Sequence, residues 1–355
     1  MPFSIGYGLI TFIRNFLYDW GILRSHSFKE HNICIGNLSV GGTGKTPHIE
    51  YIIRLLKKDY AVATLSRGYK RKTSGFVMAN HQSTVDDIGD EPKQFKIKFP
   101  DIRVAVDGNR VNGIKKLLNQ AEKPDVILLD DAFQHRRLKP GFSVLLTDYA
   151  KIFRRDSMLP GGSLREYQSN YKRADVIVIT KTPERISNLD LKVFSKEIKL
   201  LPHQKLFFSW IKYGEPYYFS DVNFTLEVHK ELFKFNVFIF TGIANPKPLL
   251  NYIKEYANQV THRPFADHHE FTESDILEIR KDFNNLSGQK KLIITTEKDF
   301  MRLKKGKILD EFTGLPLFII PIEIDFKNKT EEFNQIITNY VRTNRIYHSK
   351  YFKDN

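Results

Sequence analysis

The chain has 355 residues, which exceeds the usual size of a single hydrophobic core and predicts two domains. Hydrophobic residues make up 41% of the sequence and aromatic residues 13%, so a globally disordered chain is excluded. The net charge of +14 favours an anionic partner, which this charge alone does not assign to nucleic acid, a membrane surface or a small substrate.

The first 24 residues predict an amphipathic helix. At helical spacing, the apolar side chains between Phe3 and Trp20 fall on one half of the helix. The other half carries small or polar residues, namely Ser4, Gly8, Thr11, Arg14, Asn15 and Asp19. These polar residues interrupt the apolar run that a membrane span needs, and neither a basic n-region nor a cleavage site marks a signal peptide.

Two placements fit this helix. An aromatic-rich face followed by Arg24, His26 and Lys29 suits the boundary between water and lipid. The alternative is a helix docked on the core of the protein itself, because amphipathicity has both causes. We expect residues 1–24 to lie at a membrane interface.

A glycine-rich turn between a predicted strand and a predicted helix is the strongest motif. The apolar run Ile33–Ile35 precedes it, and residues 47–56 follow it with helical spacing. Strand, glycine-rich turn ending in Gly-Lys-Thr and helix are the layout of a phosphate-binding loop. Cys34, the one cysteine, lies in the strand, so an intrachain disulfide is excluded and a reducing compartment is favoured.

Each residue of this loop has a predicted part in nucleotide binding. Backbone N–H groups would close around phosphate oxygens, Lys45 would reach the β- and γ-phosphates, and the Thr46 hydroxyl would hold Mg²⁺. Ser39 stands where the usual pattern has glycine, and an ordinary glycine-rich turn is the alternative. That alternative leaves Lys45 and Thr46 unexplained. The predicted nucleotide-binding residues are therefore Gly41, Gly42, Thr43, Gly44, Lys45 and Thr46.

Apolar strands then alternate with helices as far as residue 205. The predicted strands are residues 61–65, 103–106, 126–129, 143–146 and 176–179. Uninterrupted apolar strands separated by helices predict a mostly parallel sheet covered on both faces. We therefore expect a P-loop NTPase-like α/β core over residues 25–205.

Acidic residues follow two of these strands. Asp130 and Asp131 end a buried strand downstream of the phosphate loop, where a Mg²⁺-binding carboxylate belongs. Plain turn residues are the alternative reading of this pair. Asp107 ends another strand, where it would face the nucleotide crevice as an acid/base candidate, and a satisfied surface or core residue is the alternative.

Two further segments carry candidate site residues. Gln134 and His135, in Ala132–Arg137, could orient a phosphate or an anionic substrate. Arg165 and Glu166, in Pro160–Glu166, could supply a phosphate clamp and a metal ligand, or form a surface ion pair instead.

The composition changes near residue 205, where short aromatic strands begin. Further strands at 237–240, 292–294 and 317–320 predict a second, smaller α/β lobe over residues 206–342, which would close over the site. Residues 343–355 read as a polar, basic tail. Within the second lobe, Asp267, His268, His269 and Glu270 lie between aromatic residues as acid/base candidates. A transition-metal site is disfavoured because no second ligand cluster accompanies them.

Together, these motifs resemble the tetraacyldisaccharide 4'-kinases, the lipid A 4'-kinases of Gram-negative bacteria. The resemblance spans about residues 1–325 and rests on the order in which the motifs occur. They are residues 36–47, Ser66–Tyr69, Asp130–Arg136, Pro160–Glu166, Phe265–Phe271 and Thr296–Asp299. Ser39 fits this family, whose phosphate loops resemble this one in carrying a hydroxyl residue there.

The resemblance implies ATP- and Mg²⁺-dependent phosphorylation of the 4'-hydroxyl of a tetraacylated glucosamine disaccharide 1-phosphate. It implies an enzyme at the cytoplasmic face of the inner membrane, in contact with anionic lipid. Asp107 matches the general base and His268 its partner, with His269 beside it leaving that pairing ambiguous. The positions matching the metal site or its surroundings are Thr46, Asp130, Asp131 and Glu166.

Other P-loop proteins are the alternatives. Residues 180–183 resemble a guanine-reading loop, but Pro183 stands where the base-binding aspartate belongs, which argues against a GTPase. A helicase or partitioning ATPase would suit the basic charge but not the aromatic N-terminal helix. We therefore expect no nucleic-acid partner and infer no obligate protein partner.

Overall fold

The structure is a computed structural model that describes residues 2–267, 269–304 and 308–351. The chain divides into two compact units, and the first is discontinuous. It comprises Met1–Ile211 and Ile324–Asn355, whereas the second comprises Lys212–Glu323.

The first unit contains the elements that the sequence assigns to a nucleotide-binding core. Its helices are α1 (Pro2–Asp19), α2 (Lys45–Leu56), α3 (Val85–Ile88), α4 (Asp90–Lys98), α5 (Arg110–Leu118), α6 (Asn188–Ile198) and, after the second unit, α11 (Thr330–Tyr351). Its sheet strands are β1 (His31–Asn37), β2 (Val62–Ser66), β3 (Val77–Met78), β4 (Arg103–Val106), β5 (Val126–Asp130), β6 (Phe142–Asp148), β7 (Val176–Thr180) and β8 (Lys205–Phe208).

Within the described part of the first unit, these strands form one sheet in the order β3-β4-β2-β5-β1-β6-β7-β8. All neighbouring pairs are parallel except β3 and β4. Strand β1 lies between β5 and β6, and Ile35 pairs with Asp130. The turn after β1 and the acidic end of β5 therefore share one edge of the sheet.

Apolar side chains cover both faces of this sheet. Successive residues of a strand point to opposite faces, so Ile33 and Ile35 enter one core and Cys34 the other. The first core is completed by helix α2, with Ile49 and Ile53 fully buried. The predicted α/β fold with a mostly parallel, doubly covered sheet is confirmed.

The C-terminal segment belongs to the first unit, so the predicted 206–342 extent of the second lobe is wrong at its end. Phe333, Ile337 and Val341 of α11 lie one helical turn apart and are buried in the first core. Phe333 stacks on Phe326 with ring centroids 4.0 Å apart. Apolar residues at this spacing seal the sheet face beside α2, which draws the chain back after residue 323. Helix α11 also runs past residue 343, the predicted start of the tail, to Tyr351.

The second unit is a smaller α/β body. Its elements are β10 (Tyr217–Tyr218), β11 (Asp221–Thr225), α7 (Val228–Glu231), β12 (Asn236–Thr241), α8 (Lys247–Tyr256), β13 (Gln259–Pro264), α9 (Glu273–Asn285), β14 (Lys291–Thr296), α10 (Glu297–Leu303) and β15 (Leu317–Ile320). The strands of its described residues form a sheet in the order β11-β10-β15-β14-β12-β13, parallel among β12 to β15. A separate two-stranded sheet pairs β9 (Trp210–Tyr213) with β16 (Ile322–Asp325).

Helix α1 packs on the protein through its polar face. Gly8, Thr11 and Asn15 are its buried residues among those described, whereas Phe3 is 79% and Trp20 72% exposed. The alternative of a helix docked through its apolar face is therefore excluded.

Within residues 2–267, 269–304 and 308–351, no helix combines the length and apolar character that a membrane span requires.

Candidate functional site

The glycine-rich turn connects β1 directly to α2. Gly41 and Gly44 have φ angles of +105° and +83°, in the left-handed region that favours glycine. A Cβ atom built on Gly41 or Gly42 would meet no atom within 4 Å, so this side of the loop is open. An open backbone turn at the start of a helix suits an anion such as phosphate.

Lys45 and Thr46 begin helix α2, as the motif predicts. Lys45 Nζ lies 3.7 Å from Asp131 Oδ2, and both side chains are partly exposed. The ammonium group is thus held at the mouth of the loop by the strand-end carboxylate. Thr46 is half-buried beside it.

Asp130 and Asp131 lie in different environments. Burial, together with the nearby charges of Glu91 and Asp131, raises the pKa of Asp130 to about 7, and its Oδ2 accepts a hydrogen bond from Ser66 Oγ at 3.1 Å. Burial opposes ionisation of Asp131 as well, but Lys45 and Arg165 hold its pKa below the usual range. Asp131 is therefore paired with cationic groups, whereas Asp130 is buried close to other acidic groups.

The donor chemistry at this edge fits a divalent cation. Carboxylate and hydroxyl oxygens are the ligands that Mg²⁺ prefers, and it is commonly held by one or two carboxylates plus substrate phosphates. Asp130, Asp131 and Thr46 supply such oxygens, and a cation would stabilise the ionised form of Asp130, which burial and the nearby acidic groups disfavour. Among the described residues, no group of three or more His, Cys, Asp or Glu side chains could hold a metal without further ligands.

Arg165 joins the phosphate loop to the acidic pair. Its guanidinium donates to both oxygens of Asp131, at 2.8 and 3.1 Å. It also donates to the backbone oxygen and side chain of Asn37, the last residue of β1. The bidentate geometry fixes both partners, because two parallel N–H groups meet two oxygens.

The neighbouring Glu166 is held by two arginines. Its carboxylate is almost fully buried, with Oε1 3.4 Å from Arg14 Nη2 and Oε2 paired with Arg173. The Arg173 guanidinium also lies over the ring of Phe133, at 4.3 Å. Both oxygens therefore face guanidinium groups, and the predicted metal-ligand role of Glu166 stays a prediction.

Asp107 is buried at the end of β4 with its side chain held by hydrogen bonds. Oδ1 accepts from the backbone N–H of Asn109 at 2.8 Å, and Oδ2 accepts from Asn112 Nδ2 at 2.7 Å. The Arg110 guanidinium donates to the backbone oxygens of both Asp107 and Asp130. The structure thus brings the predicted base and the predicted metal ligands to one edge of the sheet.

Arg110 was missed by the sequence analysis. It is 2% exposed, whereas an arginine in the first turn of a helix ordinarily reaches solvent. The signal was its place three residues after a strand-end aspartate. Arg110 bridges the ends of β4 and β5, which lie on either side of β2 in the sheet. This placement is a property of the strand order.

Gln134 and His135 lie beside the end of β1. Gln134 Nε2 donates to the backbone oxygen of Asn37 at 2.8 Å, and its own backbone oxygen accepts from Arg14 at 2.9 Å. Burial lowers the pKa of His135 to about 4, and the charges of surrounding arginines add to that effect. Those arginines are Arg110, Arg137, Arg67 and Arg14. Their convergence creates a positive field in which an anion would be stabilised.

The second predicted acid/base segment follows β13 in the second unit. His268 lies outside the described residues. Its neighbour His269 is engaged locally, with Nε2 3.0 Å from Asp275 Oδ2 and its ring stacked on Phe265. Asp275 in turn completes the capping box of α9. His269 therefore has a structural role within its own unit.

Comparison with known proteins identifies the family of the chain. The family model described as LpxK, tetraacyldisaccharide-1-P 4'-kinase, matches residues 1–342. The tetraacyldisaccharide 4'-kinase of Bacteroides thetaiotaomicron is 47% identical over 97% of this chain and 93% of its own length. The enzyme of the same name from Flavobacterium johnsoniae is 47% identical, with 97% and 96% covered.

A solved structure agrees with these relatives. The crystal structure of LpxK from Aquifex aeolicus in complex with ATP aligns with a TM-score of 0.72 at 26% identity, covering 96% of this chain and 98% of that one. The GTPase and partitioning-ATPase alternatives are therefore set aside, and the resemblance read from the motifs is confirmed. The chain belongs to the tetraacyldisaccharide-1-P 4'-kinase family.

Proposed function

We propose that the protein transfers the γ-phosphoryl group of ATP to the 4'-hydroxyl of tetraacyldisaccharide 1-phosphate, giving the 1,4'-bisphosphate. Family membership gives ATP-dependent 4'-kinase chemistry in lipid A biosynthesis. The residue assignments rest on one observation. The phosphate loop, the Asp130–Asp131 pair and Asp107 all lie at the same edge of the first sheet.

The phosphate loop and Arg165 bind and orient the nucleotide. Backbone N–H groups of the loop and the Lys45 ammonium would meet the phosphate oxygens. Phosphoryl transfer requires positioning and charge neutralisation more than covalent chemistry, and cationic groups at fixed positions supply both. Arg165, held by Asn37 and Asp131, is placed to contribute a further positive charge.

Thr46, Asp130 and Asp131 would hold Mg²⁺. When bound, the ion neutralises charge on the β- and γ-phosphate oxygens. Glu166 anchors the loop that carries Arg165, through its pairs with Arg14 and Arg173.

Asp107 accepts the proton of the 4'-hydroxyl. The N–H groups of Asn109 and Asn112 fix its carboxylate, so the remaining lone pairs keep one direction. His268 as the partner of this base is implied by the family resemblance and stays a prediction.

The enzyme works at the cytoplasmic face of the inner membrane. The apolar face of α1 is exposed, with Phe3, Ile10 and Trp20 each more than two thirds accessible. A helix of this kind lies in the interface with its apolar side among the acyl chains. The net charge of +14 adds attraction to anionic lipids and to the anionic substrate.

Asp107→Asn tests the assignment of the base. With ATP, Mg²⁺ and tetraacyldisaccharide 1-phosphate in detergent, wild type forms bisphosphate, and the variant loses at least about a hundredfold in kcat while binding ATP normally. Asp175→Asn is the matched control, because Asp175 is a carboxylate that accepts a backbone N–H beside β7 and its pKa is raised by burial.

Three outcomes are distinguishable. Bisphosphate formation by wild type and by Asp175→Asn, with loss in Asp107→Asn, supports the proposal. Near-normal turnover of Asp107→Asn removes Asp107 as the base. Absence of product from folded wild-type enzyme overturns the function itself.

A further inference from the structure

Two carbonyl groups of the phosphate loop are hydrogen-bonded to side chains outside the loop. The backbone oxygen of Thr43 accepts from Thr180 Oγ1 at 2.9 Å, and the same hydroxyl lies 3.2 Å from the backbone oxygen of Thr147. The backbone oxygen of Gly44 lies 2.7 Å from His48 Nδ1 and also accepts the backbone N–H of His48 at 3.3 Å. Thr180 and His48 are each 1% exposed, so both contacts are inside the protein. The two carbonyls therefore point away from solvent.

These contacts fix the direction of two N–H groups. In a trans peptide the C=O and N–H point in opposite directions. The carbonyl of Thr43 shares its peptide with the N–H of Gly44, and the carbonyl of Gly44 shares its peptide with the N–H of Lys45. Holding both carbonyls toward the interior turns both N–H groups outward. A reversed peptide would present a carbonyl oxygen to the phosphate, which is repulsive.

The hydrogen-bond partners of His48 indicate which of its ring nitrogens carries the proton. A carbonyl oxygen only accepts, so Nδ1 carries the proton and donates to Gly44. In the neutral ring, Nε2 then accepts from the hydroxyl of Ser209, 2.9 Å away. The Ser209 hydroxyl, which can donate or accept, thus complements the tautomer that holds Gly44.

Thr180 and Ser209 share one support. Thr180 is the last residue of β7, and the backbone N–H of Ser209 donates to the oxygen of Ile179 in the same strand. The oxygen of Ser209 accepts from the N–H of Thr182. Both tethers of the loop therefore lead to the carboxyl end of β7.

We propose that Thr180, His48 and Ser209 are positioning residues that keep the Thr43–Gly44 and Gly44–Lys45 peptides in the orientation that binds nucleotide phosphates. This inference rests on the proposed binding of ATP at the loop. It gives a role to Thr180, which in the sequence stood only in a segment similar to a guanine-reading loop. None of the three residues needs to touch the nucleotide.

Thr180→Val removes the first tether with little change in shape. We expect its Kd for ATP, measured by calorimetry with Mg²⁺ present, to rise about five- to tenfold, as loss of one hydrogen bond to a buried carbonyl predicts. Thr180→Ser keeps a hydroxyl and should stay within about twofold of wild type. Thr64→Val is the matched control, because Thr64 is fully buried in β2 of the same sheet and its hydroxyl has no hydrogen-bond partner in the described structure.

His48 provides a second, independent pair of variants. In His48→Asn the side-chain amide nitrogen takes the place of Nδ1 and keeps the donor to Gly44, whereas His48→Leu fills similar space without a donor. We expect a rise of about three- to fivefold in Kd for ATP with leucine and a smaller one with asparagine, because the Gly44 oxygen keeps the backbone N–H of residue 48 in both variants. Ser209→Ala should raise Kd about two- to threefold, because it acts only through the histidine.

The KM for the lipid substrate and the melting temperature separate positioning from general stability. Weaker ATP binding in Thr180→Val and His48→Leu, with an unchanged lipid KM and an unaffected Thr64→Val, supports the inference. Lower melting temperatures with unchanged ATP affinity overturn it, as does an equal loss in Thr64→Val. Failure of wild type to bind ATP would instead contradict the proposed function.

Discussion

The two terminal helices of the first unit are both amphipathic, yet they present opposite faces to the protein. Helix α11 buries Phe333, Ile337 and Val341 in the core beside α2. Helix α1 buries Gly8 and other small or polar residues and leaves its aromatic face exposed. Amphipathic periodicity therefore identifies a helix and its two faces, but not which face meets the protein.

The difference lies in what the polar face can do. The small side chains of α1 allow close approach, so that Gly8 lies against the hydroxyl of Tyr167 and Ser4 Oγ accepts the N–H of Gly161. Arg14 then reaches the backbone of Gln134. A polar face that finds its own hydrogen bonds can dock on the protein, which leaves the apolar face exposed.

The largest expected effect is on the buried side of this comparison. Phe333→Ala should lower the free energy of unfolding by about 4 kcal/mol, since it removes a fully buried aromatic side chain and leaves a cavity. Phe3→Ala, at a residue 79% exposed, should stay within about 0.5 kcal/mol. Denaturant titration measures both changes, and equal losses would show that α1 is part of the folded core.

The exposed side of the comparison is tested with vesicles. Replacing Phe3 and Ile10 together by serine should weaken binding to anionic vesicles by about 3 kcal/mol, roughly a hundredfold, because both side chains would leave the lipid. Leu277→Ser is the control, because Leu277 is also exposed but lies on α9. Sedimentation with vesicles gives the partition coefficients. Unchanged binding of the double variant would assign membrane attachment to another surface.

The link between α1 and the site is tested at Arg14. Arg14→Gln removes one of the two charges paired with Glu166. Because Glu166 anchors the loop that carries Arg165, the variant should hold Arg165 less firmly and lower kcat/KM about threefold to fivefold. Arg136→Gln removes another contact with α1, the ion pair with Asp19, and serves as the control. It should loosen the helix with less effect on turnover. Equal rates for both variants and wild type would limit α1 to membrane attachment.

A local effect of similar size concerns the close approach of α1. Gly6→Ala should slow amide exchange in the helix about fivefold through better helix propensity, since a Cβ there meets no atom within 4 Å. At Gly8 the new Cβ would lie 2.7 Å from the Tyr167 hydroxyl, so Gly8→Ala should bring no such gain. Hydrogen exchange of peptides covering α1 measures both. Equal slowing of amide exchange in Gly6→Ala and Gly8→Ala would contradict the close contact of Gly8 with Tyr167.

Residue patterns within short segments predicted those elements whose conformation the segment itself largely determines. The phosphate loop was found because its glycines, Lys45 and Thr46 follow a strand and open a helix. The fold class followed from apolar strands of uniform character. Asp107 and the Asp130–Asp131 pair were predicted as site residues because strand ends meet at one edge of a parallel sheet, and their catalytic and metal-binding roles stay predictions.

The remainder depends on contacts between distant segments. The return of α11 could not be read from its sequence, because an amphipathic helix fits any apolar surface. The burial of Arg110 and the arginine pairs of Glu166 depend on which strands and loops become neighbours. The tether from Thr180 likewise joins residues 137 positions apart. The contact of His48 with Gly44 spans one helical turn, but the Ser209 hydroxyl that completes it comes from 161 residues away.

The discontinuity of the first unit has a consequence for synthesis on the ribosome. Residues 212–323 form one uninterrupted unit and can be completed while the segment that follows residue 323 is still being translated. The core that carries the phosphate loop lacks Phe326 and helix α11 until that segment has been made. Helix α1, by contrast, is translated before the other described elements of both units. A nascent chain therefore has helix α1 available while both units are being made, whereas the core that carries the phosphate loop is completed after the second unit.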